Sequence, residues 1–407
     1  MKIRNKNKAF TLTHTRAAVL IITALIAITL IFTGCKQPET PKTPEPPAPT
    51  PKHTVTFNVD GEGGTLKATV DGSEINTGNN VEQGKSVTFT AEPNDGWQVA
   101  SWTGVTATPP NSKNVILSNV TGAANITVKF KFADKTYTVD GISFTMRIID
   151  AVTNGSVGHN DYDKNKPHTV SLSAYRIGET EVTQELWQKV MENNPSHFSG
   201  YPESGEEQEK RPVENINWYH AIVFCNKLSK KCDLEPCYTV TVSGTPVDFD
   251  TLIFDDIPTS DNDDWNKTVC NWTKNGFRLP TEAEWEWAAK GGKEYKWAGT
   301  DDQSNLVEYA WYNVNSGLKT HQAAMKNANG YSLCDMSGNV VEWCWNRYKD
   351  ETPEGGEDPI GPDSGQARVV RGGGLISDAN SAGCSYRLKF EPNNNNQYIG
   401  LRLVCRP

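Results

Sequence analysis

Thiols are the side chains of this 407-residue sequence whose number and placement point most directly to chemistry, and there are nine of them. Cys35 stands apart, directly after Thr33 and Gly34 at the end of the apolar run 17–32. Small residues ahead of such a cysteine suit a lipoprotein signal peptidase, which cuts after the thiol of the future first residue has been acylated. Cys35 is therefore the expected lipid anchor. The others, Cys225, Cys232, Cys237, Cys270, Cys334, Cys344, Cys384 and Cys405, all lie in the C-terminal part. An exported location permits disulfides, but eight thiols allow on the order of a hundred complete pairings. The histidines beyond the leader (His53, His159, His168, His197, His220 and His321) lack metal-site spacing. Glu282, Glu284 and Glu286 invite an acid–base reading, yet they suit the charged side and cap of a helix better. The acidic stretch DDIPTSDNDDW (255–265) lacks the spacing of a calcium loop and reads as a solvated insertion.

The elements that carry these residues are bounded by sharp changes of composition. Residues 1–34 hold Lys2, Arg4, Lys6, Lys8 and Arg16 with no acid, then the apolar run, which is the layout of an export signal. Removing these five cations takes the net charge from −9 to −14. So acidic a chain has no electrostatic footprint for nucleic acid. Residues 35–52 follow as a tether: KQPETPKTPEPPAPTPK has seven prolines in seventeen residues, which favours an extended, semi-rigid spacer. Lys36 after Cys35 offers no evident retention signal, so the expected location is the cell envelope, at the outer membrane and exposed on its surface.

From 53 to 134 the pattern becomes short alternating runs such as TVTFNV, SVTFTAE and ITVKFKF, broken by Asp60-Gly61, Asp71-Gly72 and Asp95-Gly96. Period-two alternation of this kind predicts a small antiparallel sheet with one solvated face. The stretches TVTFNVDGEGGTLKATVDG and VEQGKSVTFTAEPNDGWQVASWTG resemble the internalin-type B-repeat. A lone copy of such a repeat implies a spacer.

Residues 137–407 read as short strands, helices and long loops. Helix starts are predicted at Thr183, whose hydroxyl can cap QELWQKVM, and at Asn217, before Trp218, Ala221, Ile222, Cys225 and Leu228 on one face. A third is predicted at Thr281, where Thr281 and Glu284 form a capping box and Gly291-Gly292 ends the helix. The stretches HTVSLSAYRIGETEVTQELW, RPVENINWYHAIVFCNKLS, NGFRLPTEAEWEWAAKGG, GYSLCDMSGNVVEWCWN, RVVRGGG and YIGLRL resemble, in order, the formylglycine-generating enzyme (sulfatase-modifying factor) family. The resemblance implies an α+β fold, related to C-type lectin domains and low in regular secondary structure, behind a small all-β module.

It also implies two metal sites to look for. In competent enzymes of the family a pair of cysteines after the Gly-Gly turn holds copper, and soft Cu(I) suits two thiolates. Counted from Gly373, those places are Ser377 and Ala382; Cys384 lies two residues further on. Copper is therefore not expected and no catalytic residue is assigned. A structural calcium ion is implied at Asp335, Gly338, Val340 and Glu342, where two carboxylates and two carbonyls suit a hard cation.

The tail GLISDANSAGCSYRLKFEPNNNNQYIGLR lies between the two best-matching landmarks and carries the run Asn393 to Asn396. This layout resembles the variable proteins of diversity-generating retroelements, which place their diversity on such a segment. The implied ligand-binding residues are Ile376, Ser377, Asp378, Asn380, Ser381, Tyr386, Leu388, Lys389 and Phe390, with Phe390 as an exposed aromatic anchor. The expected function is thus a lipid-anchored surface protein with a non-catalytic module for a protein or glycan ligand. The alternatives are a formylglycine-generating oxidase acting on exported sulfatases and a structural envelope protein.

Overall fold

The computed structural model describes residues 45–407; the export signal, Cys35 and most of the Pro-rich tether lie outside the described residues. Residues 45–51 are exposed and without regular structure. Among the described residues no helix is long and apolar enough to cross a membrane.

The β module is a pair of four-stranded sheets rather than one antiparallel sheet. One has the order Asn79–Glu82, Lys52–Asp60, Ala124–Phe132, Trp97–Thr103; the other has Ser73–Ile75, Gly64–Val70, Val87–Pro93, Asn114–Leu117. One pairing departs from the antiparallel pattern that alternation predicts. The first and last long strands run parallel, with Val55 opposite Ala124 and Asp60 opposite Lys129. Alternation did predict the core: Val87, Phe89 and Ala91 are buried on one face, with Val55, Phe57 and Ile126 in the same interior as Phe89. The Asp71-Gly72 turn takes positive φ at both residues (48° and 79°), as a tight hairpin of this kind requires.

The C-terminal domain begins with the antiparallel sheet Lys135–Val139, Ile142–Ile149, Tyr175–Gly178, to which the chain end adds Val404–Cys405. Helix α1 (Gln184–Met191) is capped by Thr183, whose hydroxyl accepts from Leu186 N. Helix α2 (Trp218–Lys231) is capped by Asn217, with His220 completing a capping box. These two pack through Trp187 stacked on Phe224 at 4.8 Å. The acidic insertion is not wholly solvated: Asn262 caps a short helix α3 (Asp263–Asn266) that buries Trp265 against Tyr219, ring centroids 5.6 Å apart. Helix α4 (Glu282–Lys290) has the expected Thr281–Glu284 capping box and ends at Gly291 in the left-handed region. It packs Trp285 into a second core with Leu333, Met336, Val369 and Cys384. Two Trp-rich cores thus support a second sheet, Leu388–Phe390, Arg368–Arg371, Val341–Arg347, Ile399–Gly400, on which the tail is built.

Candidate ligand face and metal positions

The turn that starts the tail is set by backbone crowding. At Gly373, φ is +66° and an added Cβ would lie 2.7 Å from Ser381 O, so the loop folds back over the glycine. The two positions where copper thiolates would sit are part of this fold-back. Ser377 Oγ accepts from Gly374 N at 2.9 Å, and its carbonyl accepts from Asn313 N at 3.0 Å. Ala382 is buried, and its carbonyl accepts from Ser337 Oγ at 2.7 Å. Cys384 is buried too, and burial pushes its thiol up to about 12. It is a core thiol, the opposite of an activated nucleophile.

The nine tail residues fall into two groups. Ile376, Asp378 and Asn380 are exposed, with Ser377 and Ser381 half-buried between them. Asp378 accepts from Ser381 N at 2.8 Å, and its bonds to Ser381 hold its carboxyl below the usual range. The second group, Tyr386 with Leu388, Lys389 and Phe390, runs into an edge strand paired with Arg368–Arg371. Lys389 is exposed there, its ammonium 4.9 Å from the Tyr348 ring centre. Phe390 is not the exposed anchor expected. Its ring is half-buried, 6.4 Å from Trp343 and 6.3 Å from Tyr398, because the strand turns that side toward the first core. The asparagine run forms the turn that follows, where Asn396 O accepts from Asn215 N at 2.9 Å.

Three side chains outside the tail join these groups, and no motif or spacing marks them in advance. Tyr162 donates to Asn380 O at 2.9 Å and meets the Tyr386 ring edge-on at 5.6 Å, across more than two hundred residues. Trp297 donates to Ala379 O at 2.5 Å. Lys296 lies 5.8 Å from the Tyr162 ring centre and pairs with Asp161 at 2.7 Å. Asn313, which holds Ser377, belongs to a loop on which Val314 and Leu318 are 70% and 65% exposed. Both apolar side chains stand in solvent on a segment bonded to the tail.

Beneath the tail lies a set of buried ion pairs. Glu282, Glu284 and Glu286 are buried rather than solvated. Arg387 grips Glu282 at 2.5 and 3.0 Å, Arg278 grips Glu284 at 2.6 and 2.7 Å, and Arg371 pairs with Glu286. Glu286 also accepts from Gly158 N at 2.6 Å, Asn165 Nδ2 at 2.8 Å and Ser385 Oγ at 2.5 Å. Burial acts to raise its carboxyl, and Arg371 with these donors outweighs it, so the group is held low and ionised. Such a saturated carboxylate fixes the tail strand to α4 and has no proton to exchange.

The four positions implied for calcium do not fit that ion as a set. Both oxygens of Glu342 are taken by Arg402, at 2.7 to 3.1 Å, and by Trp285 Nε1 at 2.6 Å. Gly338 is required by packing, since at φ +90° an added Cβ would lie 2.3 Å from Trp311 O. Val340 is buried in the same turn. Asp335 accepts from Ala324 N at 2.7 Å through one oxygen, while its other oxygen and both oxygens of buried Glu181 have no partner among the described residues. Burial first, then the mutual proximity of Glu181, Asp335 and Glu342, raises the carboxyls of Glu181 and Asp335. Among the described residues no three His, Cys, Asp or Glu side chains converge as a metal centre.

Comparison with known proteins agrees with this architecture. The divergent InlB B-repeat domain matches residues 53–136, and the sulfatase-modifying factor enzyme 1-like domain matches residues 129–407. The solved structure of Treponema denticola variable protein 1 is 57% identical and aligns with a TM-score of 0.67 over 68% of this chain and 100% of its own. A Paenibacillus barcinonensis protein named chaperone protein LppX is 38% identical over 260 residues, 60% of this chain and 82% of that protein. The formylglycine-generating enzyme of Thermomonospora curvata is 34% identical over 163 residues, covering 35% of this chain and only about half (54%) of the enzyme. The chain belongs to the sulfatase-modifying factor enzyme 1-like domain family.

Proposed function

We propose that this protein is a lipid-anchored surface protein whose C-terminal domain binds a ligand without chemistry, through the face built by the tail, Tyr162 and the loop carrying Val314 and Leu318. The observation that carries the reading is the chemistry of the two positions after Gly373: a hydroxyl and a methyl stand at Ser377 and Ala382, and the nearby Cys384 is sealed in the core. Two thiolates cannot be assembled there, so the fold is kept while the copper grip is lost. The likeness to a variable protein supports a binding face on this segment. The ligand is a protein or glycan met at the cell surface. Any calcium the domain takes is held through the free oxygens of Asp335 and Glu181, with Glu342 committed to Arg402.

Three measurements test the reading. Purified protein offered Cu(I) in competition with a thiol chelator should retain none, whereas stoichiometric retention would support an oxidase. Protease added to intact cells should remove the C-terminal domain of wild type, and Cys35→Ser should shift the protein out of the membrane fraction. A protected domain, or unchanged fractionation of Cys35→Ser, contradicts surface display.

A further inference from the structure

The connection between the β module and the C-terminal domain consists of Ala133 and Asp134 alone, between the strands ending at Phe132 and starting at Lys135. A hinge needs backbone groups free to exchange water for other partners. At Ala133 they are spent, and Asp134 is held through its carboxylate. Ala133 N donates to Gly96 O at 2.8 Å, and Ala133 O accepts from Arg176 Nε at 2.9 Å. Asp134 accepts from Ile148 N at 2.8 Å and from Arg147 Nη1 at 2.8 Å.

Arg176 comes from the centre of the domain's first sheet, and it is 3% exposed. Its Nη2 donates to Gly96 O at 2.7 Å, and its guanidinium lies 5.8 Å from the Phe132 ring centre. A charge is thus buried between the two bodies with module carbonyls as its acceptors, and separating them would leave it unpaired in the gap or drag it into water. The fit is close on the other side too: a Cβ on Gly96 would come 2.7 Å from Arg176 Nη2. At the rim Lys135 reaches back to Asp95 at 2.9 Å. The two family matches overlap over 129–136, so no stretch of chain is left over as a linker.

We infer that the β module docks on the Arg176 face of the C-terminal domain and moves with it as one rigid body, so that the module fixes where the ligand face lies relative to Lys52, at which the module begins. A lone repeat of this kind is then a fixed bracket on the domain.

The test is amide ¹⁵N relaxation on the chain from residue 36 onward, read separately for module and domain. One shared rotational correlation time is expected for wild type. Arg176→Ala, and independently a Gly-Ser-Gly-Ser insertion between Ala133 and Asp134, should shorten the module's value several-fold while leaving the domain's nearly unchanged. The insertion keeps the proposal testable where Arg176→Ala fails to fold. A module that already tumbles faster than the domain in wild type, or one unmoved by the insertion, overturns the inference.

Discussion

Individual side chains on the tail divide into those that hold the fold and those free to meet a ligand. Ile376, Asn380 and Lys389 are exposed, so alanine at each should change stability by no more than about 0.5 kcal/mol, whereas Asp378→Ala removes the turn bond from Ser381 N and should cost about 1 kcal/mol. Phe390→Ala should cost roughly 1–3 kcal/mol, since its ring packs beside Trp343 and Tyr398. Thermal melts of the five variants check this, and a large loss at the exposed positions would move them from ligand face to scaffold. A pH dependence belongs to Glu181, whose buried carboxyl is raised in the folded state. A raised carboxyl contributes stability that is complete below its unfolded range and is lost as pH rises through the folded one. Glu181→Gln should therefore melt like wild type at low pH and increasingly above it as pH rises past the ordinary glutamate range. Calcium should narrow that gap by stabilising wild type alone. Parallel melting curves at all pH values, with and without calcium, would contradict the assignment of free carboxylate oxygens to Glu181.

At the level of elements, the buried ion pairs around helix α4 hold the tail to the domain. Glu286→Gln leaves buried Arg371 with a neutral partner there and with the longer pair to Glu282 at 3.6 Å; removal of one member of a buried pair costs roughly 3–5 kcal/mol, and the amide should lose part of that. The melt should fall well below that of Thr281→Ala, where only a helix cap worth about 1 kcal/mol is lost. The three helix starts were legible because capping is local chemistry, within three residues of Thr183, Asn217 and Thr281. Alternation likewise marked the core face of Val87, Phe89 and Ala91. What the sequence hid is what distance hides. The parallel pairing of Lys52–Asp60 with Ala124–Phe132, the burial of Glu282 and Glu286 by Arg387 and Arg371, and the contact of Tyr162 with Asn380 all join remote segments. Phe390 was misread for a related reason: strand pairing, invisible in composition, decides which side of an edge strand faces the core.

For the whole molecule, the arrangement is a family scaffold whose tail carries Ser377 and Ala382 after Gly373. The cores, the capped helices and the Arg402–Glu342 pair carry stability independently of residues 376–381, so that segment can change without unfolding the domain. Family membership supplies the fold, and the proposed binding role rests on the residues after Gly373. The most direct measurement incubates the purified protein with Cu(I), oxygen and a cysteine-containing sulfatase peptide, and follows the peptide by mass spectrometry. The cysteine should survive unchanged at protein excess. Conversion of its thiol to an aldehyde, abolished by Cys384→Ser, would contradict the account and make the domain an oxidase.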